Sequence, residues 1–130
     1  FDEAVIFNGE QLLKIVKNIA SVCEQLHRKG INHGDLYAHN IMVNKTADCL
    51  LGDFGAASFY DVNSILAHNI ERIEIRAFGC LVEDIFNLLN KKEMDKNLRD
   101  KWGEIITTCT VSEVKSRPSF YEILNQLSTF

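Results

Sequence analysis

Apolar side chains recur at intervals of three and four residues along the first thirty positions of the chain. The pair Asn8 and Gly9 precedes this run, and Lys29–Gly30 follows it. These residue types are typical of the two ends of a helix. The pattern therefore predicts a strongly amphipathic helix, whose apolar positions are Leu12, Leu13, Ile15, Val16, Ile19, Ala20, Val22, Cys23 and Leu26.

Two shorter apolar runs predict a small β-hairpin. Ile41–Val43 and Cys49–Leu51 are separated by the polar residues 44–48, which is typical of two strands joined by a turn. Farther along, apolar residues from about Arg72 to Leu89 occupy most of the helical circumference. This second pattern predicts a largely buried central helix.

Two further helices are predicted near the end of the chain. One extends from Leu98 to about Thr108, and the other from Ser119 to about Leu127. Pro118 lies at the start of the last helix, where the missing backbone N–H costs nothing. The predicted fold class is mainly α with a small β-hairpin, and the aromatic residues predicted to lie in its core are Phe78, Phe86, Trp102 and Phe120.

Composition and charge narrow the class of protein. A chain of 130 residues with 46% hydrophobic and 25% charged residues suits one globular domain. The net charge of −4, without a run of Lys or Arg, argues against a nucleic acid or anionic membrane partner. No apolar segment approaches the ~20 residues that cross a bilayer, and Phe1-Asp2-Glu3 does not resemble the basic start of a signal peptide. A cytoplasmic protein is predicted.

The cysteines do not indicate a metal or disulfide site. Cys23, Cys49, Cys80 and Cys109 are widely spaced, form no CxxC pair and each lie within an apolar pattern. We expect reduced core residues rather than a zinc site or a disulfide framework.

Candidate chemistry is concentrated between residues 33 and 55. The segment His33-Gly34-Asp35-Leu36-Tyr37-Ala38-His39-Asn40 precedes the predicted hairpin, and Asp53-Phe54-Gly55 follows it. An Asp and an Asn on one tight loop, with a second Asp after the hairpin, can converge on one small volume. Such a volume suits an acceptor hydroxyl and Mg²⁺, because phosphoryl transfer depends mostly on positioning and on neutralising phosphate charge.

These residues resemble the C-terminal lobe of the eukaryotic-type protein kinase family. The resemblance covers roughly residues 10 to 127 and implies a partial protein kinase domain, residues 1–130, that lacks the N-terminal lobe. The matching segments, in the family's order, are Leu26-His27, Gly30-Ile31, His33 to Asn40, Asp53-Phe54-Gly55, Ala77-Phe78-Gly79 and Ser116-Arg117-Pro118-Ser119-Phe120.

The resemblance implies a role for each polar residue. Asp35 would be the catalytic base, assisted by Asn40, and Asn40 and Asp53 would bind the Mg²⁺ ions that bridge the phosphates of ATP. The implied reaction moves the γ-phosphate of ATP to a Ser, Thr or Tyr hydroxyl of a protein substrate. His33 would hydrogen-bond the backbone near Asp53, and Phe54 would pack under the central helix.

Several positions depart from the family pattern. Gly34 replaces the usual Arg, so switching by a phosphorylated activation segment is not expected, and Tyr37 replaces the Lys typical of serine/threonine kinases. Only 21 residues separate Gly55 from Ala77, without an Ala-Pro-Glu anchor. The platform for a peptide substrate is therefore expected to be small.

Two charged residues that are buried in the family also have a different identity or partner here. Glu74 stands where the family has a buried Asp in the central helix, which keeps the charge and adds a methylene group. Arg117 lacks its usual partner, the Glu of the missing anchor. We expect Arg117 to meet Glu71 or Glu74, or to stay solvated.

The chain starts after the position where the family has its nucleotide-binding N-terminal lobe. Residues 1–130 contain no Gly-rich loop and no strand Lys of the kind found in that lobe, so half of the ATP site is expected from an N-terminal lobe, in cis or in trans. The chain alone is expected to bind nucleotide weakly and to turn over little.

Two other functions remain open. A small-molecule kinase of the aminoglycoside or choline phosphotransferase type is favoured by His33-Gly34-Asp35-Leu36, which resembles the loop of those families, and by the short activation segment. Asp53-Phe54-Gly55 and Arg117-Pro118 argue against it, because those families generally lack them. A non-catalytic pseudokinase that serves as an interaction module is the other alternative.

Overall fold

A computed structural model describes residues 7–92 and 94–130. Phe1-Asp2-Glu3, which entered the prediction of location, lies outside the described residues. Within them the order of helices and strands is α1 (Gly9–Arg28), β1 (Ile31–Asn32), β2 (Ile41–Val43), β3 (Cys49–Leu51), β4 (Ser58–Phe59), α2 (Ala67–Phe86), α3 (Lys96–Cys109) and α4 (Phe120–Leu127).

The first helix has the ends that the sequence predicts. The Asn8 side chain accepts a hydrogen bond from the backbone N–H of Gln11 at 2.8 Å, and the Gln11 side chain accepts one from the Asn8 N–H at 3.0 Å. This reciprocal capping box satisfies two of the free N–H groups at the helix start. Gly30, at a φ of +73°, follows the C-cap residue Lys29 and turns the chain into β1.

The predicted hairpin is confirmed, with Ile41 paired to Leu51 and Val43 to Cys49 in an antiparallel register. Its turn is fastened to α1 by Lys14, whose ammonium lies 2.7 Å from an Asp48 carboxylate oxygen. Hydrogen bonds from Lys14 and from the turn lower the pKa of Asp48 to about 2. A second antiparallel pair, β1 with β4, was not predicted.

The central helix α2 is shifted towards the N-terminus relative to the prediction. It begins at Ala67 rather than near Arg72 and ends at Phe86 rather than Leu89. The N-cap residue Leu66 makes no side-chain capping bond, so the sequence carries no start signal at this point. The helix is also less completely buried than predicted, because Ile73 is 64% exposed.

The core lies between the four helices and under the hairpin. α1 packs against α4 and α2, and α2 packs against α3. Trp102, Phe78 and Phe120 are buried as predicted, and the half-buried Phe86 stacks on Trp102 with ring centroids 5.7 Å apart. The fold is mainly α with a small hairpin, as the sequence predicts, and none of the described helices is long and apolar enough to cross a bilayer.

The cysteines are free thiols, and the prediction of a core position is wrong for one of them. Cys23 and Cys109 are buried and Cys49 is half-buried, but Cys80 lies on the exposed side of α2. Burial raises the pKa of the Cys23 thiol and raises that of Cys109 to about 12. Neither buried thiol is therefore suited to act as a nucleophile.

Candidate active site

Asp35 and Asn40 are in direct contact on the loop between β1 and β2. The Asn40 amide donates hydrogen bonds to the Asp35 carboxylate oxygen Oδ2 at 2.8 Å and to the Asp35 carbonyl at 2.7 Å. Asn40 is buried in a 3₁₀ turn, Ala38–Asn40, that leads into β2. Oδ1 of Asn40 and Oδ1 of Asp35 accept no hydrogen bond within the described residues, so one oxygen of each side chain is uncommitted.

His33 connects this loop to the end of the hairpin. The Asp35 backbone N–H donates to His33 Nδ1 at 3.2 Å, so Nδ1 carries no proton and the neutral ring is protonated at Nε2. Nε2 therefore donates the 2.9 Å hydrogen bond to the Gly52 carbonyl. This confirms the predicted bond from His33 to the backbone beside Asp53.

Asp53 directly follows Gly52, whose backbone is hydrogen-bonded to the backbone of Asn40. The Gly52 N–H donates to the Asn40 carbonyl at 2.8 Å, which places the start of Asp53 beside the loop. Asp53 has a left-handed φ of 49°, and its Oδ1 accepts a hydrogen bond from the Gly55 N–H at 3.2 Å. No hydrogen bond within residues 7–92 and 94–130 joins its side chain to Asp35 or Asn40.

Phe54 does not pack under the central helix, so that prediction is wrong. The side chain is 47% exposed and meets the His33 ring edge-to-face, with centroids 4.8 Å apart. Phe54 lies in the 3₁₀ turn Phe54–Ala56, which Asp53 caps. This turn directs the aromatic ring towards the loop instead of the helix.

Glu74 on α2 holds the start of the loop. Its two carboxylate oxygens accept hydrogen bonds from the consecutive backbone N–H groups of His33, at 3.2 Å, and Gly34, at 2.8 Å. The His27 ring contributes a third contact at 2.9 Å. Burial alone would raise the pKa of Glu74, but these bonds outweigh it and lower the pKa below its usual range.

His27 and Tyr60 are partners of this network that the sequence did not reveal. The Tyr60 hydroxyl donates to the Glu71 carboxylate at 2.6 Å and also lies 3.1 Å from the His27 carbonyl. The Tyr60 N–H donates to the Gly30 carbonyl at 2.8 Å. The segment after Asp53 is thereby tied to the end of α1 and to α2.

Gly34 cannot be replaced by a larger residue without movement. It has a φ of +85°, and a Cβ at this position would lie 2.3 Å from the Ala56 carbonyl oxygen. The backbone after Asp53 therefore rests directly on Gly34. This close approach explains in physical terms why glycine stands at this position.

Tyr37 and His39 stack on each other at the open side of the loop. Their rings are 5.7 Å apart and nearly parallel, and Tyr37 is 58% exposed. His39 Nε2 lies 3.6 Å from Asp35 Oδ2. An imidazole at this distance contributes positive charge beside the Asp35 carboxylate only when it is protonated.

Arg117 neither meets Glu71 or Glu74 nor stays solvated, so none of our three expectations for it is correct. It is buried, and its guanidinium donates to the carbonyls of Val111 and Arg72, both at 2.9 Å. Arg72 in turn donates to the Arg117 carbonyl at 2.8 Å. The prediction failed because two backbone carbonyls, rather than a carboxylate, accept the hydrogen bonds of this side chain.

The side-chain oxygens near the loop are suitable ligands for Mg²⁺, but they do not form a closed metal site. Mg²⁺ prefers hard oxygen ligands and takes the remainder from water and phosphate. Asn40 and Asp53 offer one amide and one carboxylate oxygen without a hydrogen bond. Across the described residues, no three His, Cys, Asp or Glu side chains gather at metal-binding distances.

The comparisons with known proteins point to one family. The model of the protein kinase domain matches residues 2–74, which include the whole loop, Asp53 and Glu74. The serine/threonine-protein kinase US3 of human herpesvirus 1 is 41% identical over 49 residues, which cover 38% of this chain and 10% of the viral protein. The L-type lectin-domain containing receptor kinase S.6 of Arabidopsis thaliana is 28% identical over 86 residues, 64% of this chain and 12% of that protein.

A third relative matches over nearly the full chain. The dual specificity protein kinase pyk3 of Dictyostelium discoideum is 23% identical over 163 aligned positions, which cover 98% of this chain and 12% of the relative. Because the alignment is longer than the chain, that relative contains residues without a counterpart here. The chain spans about a tenth of the length of these relatives. With more than half of its residues matched by the family model, the chain belongs to the protein kinase domain family.

Proposed function

We propose that residues 1–130 are the C-terminal lobe of a protein kinase domain and transfer the γ-phosphate of ATP to a Ser, Thr or Tyr hydroxyl of a protein. The observation that carries the proposal is the direct hydrogen bond between the Asn40 amide and the Asp35 carboxylate. This bond fixes the carboxylate while leaving one oxygen uncommitted. An N-terminal lobe, in cis or in trans, would complete the ATP site.

Asp35 is the proposed catalytic base. A carboxylate accepts a proton only if the hydroxyl comes within hydrogen-bonding distance in a fixed orientation. The Asn40 amide fixes Asp35 Oδ2, and the backbone of the loop is fixed in turn by Glu74 and His33. The free oxygen Oδ1 is then the acceptor for the proton of the substrate hydroxyl.

Asn40 and Asp53 are the proposed ligands of Mg²⁺. The bound ion would neutralise the negative charge of the ATP phosphates. The uncommitted oxygens of Asn40 and Asp53 support this role, as does the backbone bond that brings the two residues together. A cytoplasmic location, and the absence of membrane and nucleic acid partners, remain predictions from the sequence.

A small-molecule kinase is the second candidate, and the short activation segment favours it. Helix α2 begins at Ala67, so residues 57–66 alone connect the turn after Asp53 to the central helix. A short segment provides little surface for an extended peptide. Such a segment would leave Asp35 accessible to a small alcohol.

The test compares Asp35→Asn with wild type in the natural full-length protein. We expect kcat for transfer of labelled phosphate to fall about 10²- to 10⁴-fold, because an amide does not accept the proton. Asp100→Asn is the matched control, since Asp100 is exposed on α3, far along the chain from the loop. Its activity should equal that of wild type.

The acceptor decides between the two candidate enzymes. Phosphate on Ser, Thr or Tyr peptides supports the protein kinase, whereas transfer to aminoglycosides or choline alone supports the small-molecule kinase. Equal rates for wild type and Asp35→Asn contradict the assigned base. A full-length protein that binds ATP and transfers nothing would be a pseudokinase and would overturn the proposal.

A further inference from the structure

Two guanidinium groups are buried side by side, away from the candidate active site. Arg72 on α2 and Arg117 before α4 are each 8% exposed. Each donates a hydrogen bond to the main-chain carbonyl of the other, at 2.8 and 2.9 Å. The remaining bond of Arg117 goes to the Val111 carbonyl, so both cations are held mainly by carbonyl groups.

These two positive charges have little negative charge nearby. Within the described residues, the carboxylate in ion-pair range is that of Glu71, whose Oε1 lies 3.8 Å from Arg72 Nη1. Glu71 also accepts the 2.6 Å hydrogen bond of the Tyr60 hydroxyl. Burying a charge without a close counterion is costly. A further anion beside Arg72 and Arg117 would therefore be stabilising.

An open cavity of about 510 Å³ is lined by both Arg72 and Arg117. Lys115 and His68 add two more groups that carry or can carry positive charge, and Thr108 and Ser116 add hydroxyls. Lys115 is exposed and makes neither a hydrogen bond nor an ion pair through its side chain in the described part of the chain.

The wall of the cavity also contains one acid and one unsatisfied amide. Glu122 is bound by the Ser119 N–H and hydroxyl, at 3.3 and 3.1 Å, as the N-terminal capping box of α4. Gln126 has a buried side-chain oxygen without a hydrogen-bond partner among residues 7–92 and 94–130. The acid is thus already engaged by Ser119, and the wall keeps an excess of positive charge.

We propose that this cavity, lined by Arg72, Arg117, Lys115 and His68, is a binding site for a phosphate group. A phosphate carries up to two negative charges and at least three acceptor oxygens. Among the residues that the structure describes, only Nε of Arg72 is hydrogen-bonded to a carbonyl, so its two Nη groups form a planar fork that matches two phosphate oxygens at once. A carboxylate offers two oxygens and one charge, which is less than these cations and hydroxyls can engage. The phosphate is either free in solution or part of a phosphorylated residue.

The test measures binding of inorganic phosphate and of a phosphoserine peptide to the natural full-length protein by titration calorimetry. Buffers contain EDTA and no Mg²⁺, at constant ionic strength, so that binding does not occur through a metal at Asp53. We expect saturable binding that Lys115→Gln weakens about three- to tenfold, because a charge-assisted hydrogen bond is lost. Lys45→Gln, at the exposed hairpin turn, is the matched control and should not change the affinity.

Arg72→Lys tests the buried part of the site. It keeps the charge but loses the bidentate fork, so we expect about tenfold weaker binding. Circular dichroism establishes whether this variant folds, and Lys115→Gln carries the test if it does not, because Lys115 is exposed.

The outcomes separate the two sources of phosphate. Tighter binding of the phosphoserine peptide than of inorganic phosphate supports a phosphorylated residue as the ligand, and equal affinity supports free phosphate. Absence of saturable binding, or equal affinity in Lys115→Gln and Lys45→Gln, would overturn the site. The result is independent of phosphate transfer at Asp35, because the cavity shares no residue with that loop.

Discussion

Glu74 is the residue on which the geometry of the candidate loop most depends. Its carboxylate accepts two backbone N–H groups and contacts the His27 ring while it is almost fully buried. The side chain at this position must only accept hydrogen bonds, because each of the three groups that face it donates one. The loop backbone at His33 and Gly34 would have no other acceptor for these N–H groups.

Replacing Glu74 by Gln should therefore destabilise the protein by about 3 kcal/mol, because the new NH₂ group faces a donor and a charged hydrogen bond is lost. The measurement is the free energy of unfolding in urea at pH 7. Glu104→Gln is the control, because Glu104 is exposed on α3 and should change stability by less than about 0.5 kcal/mol. Equal stability of the two variants would show that Glu74 does not hold the loop.

The lowered pKa of Glu74 also predicts how the destabilisation by Glu74→Gln depends on pH. The folded-state pKa of Glu74 is lowered from its ordinary value of 4.5, so its stabilising contribution is complete above about pH 4.5 and disappears as the pH falls through the lower folded-state pKa. The difference in unfolding free energy between wild type and Glu74→Gln should shrink as the pH falls below about 4.5. A difference that stayed constant or grew on acidification would contradict the lowered pKa.

At the scale of helices, the contact between α2 and α3 depends on the absence of a side chain at Gly79. A Cβ at this position would lie 2.7 Å from the Cβ of Cys109 and 2.8 Å from Cγ2 of Thr110. Both distances are shorter than carbon atoms tolerate without movement. Gly79 therefore sets how closely the two helices approach.

Gly79→Ala should destabilise the protein by about 1–2 kcal/mol, because the cost of overpacking exceeds the helix propensity gained. Gly103→Ala is a matched control on α3, where nothing lies within 4 Å of the new methyl group. That variant should be more stable than wild type by roughly 0.5–1 kcal/mol. Thermal unfolding of the three proteins measures both effects, and a stabilising Gly79→Ala would disprove the close approach of the helices.

Local signals in the sequence predicted those elements that local residues define. The capping residue Asn8 predicted where α1 begins and Pro118 predicted where α4 begins. Two apolar runs around a polar turn predicted the β2–β3 hairpin. The start of α2 was predicted wrongly because Leu66 offers no cap. The pairing of β1 with β4 was missed because strands of two residues carry no periodicity, and tertiary contacts decide their pairing.

Side chains with distant partners were harder to predict. The contact of Asp35 with Asn40 is local and followed from spacing on one loop. The environments of Arg117 and Phe54 depend on which elements pack nearby, and both predictions failed. The roles of His27 and Tyr60 were missed for the same reason, since their partners lie on α2 and at the end of α1.

At the scale of the whole molecule, the fold gathers the proposed machinery at one end of a helical core. α1 and α2 support the loop through His27 and Glu74, and the hairpin presents Asn40 at its start and Asp53 after its end. The chain is a small part of the length of its relatives. Phosphate transfer should therefore be measured in the natural full-length protein.

The most direct test asks whether Asp35 and Asp53 act as one unit. Phosphate transfer would be measured for the full-length wild type, Asp35→Asn, Asp53→Asn and the double variant. Residues of one catalytic site are strongly non-additive, so each single variant should lose most of the activity and the double variant should be no slower than the slower single one. Losses that multiply in the double variant, or a single variant with wild-type activity, would contradict a shared phosphoryl-transfer site.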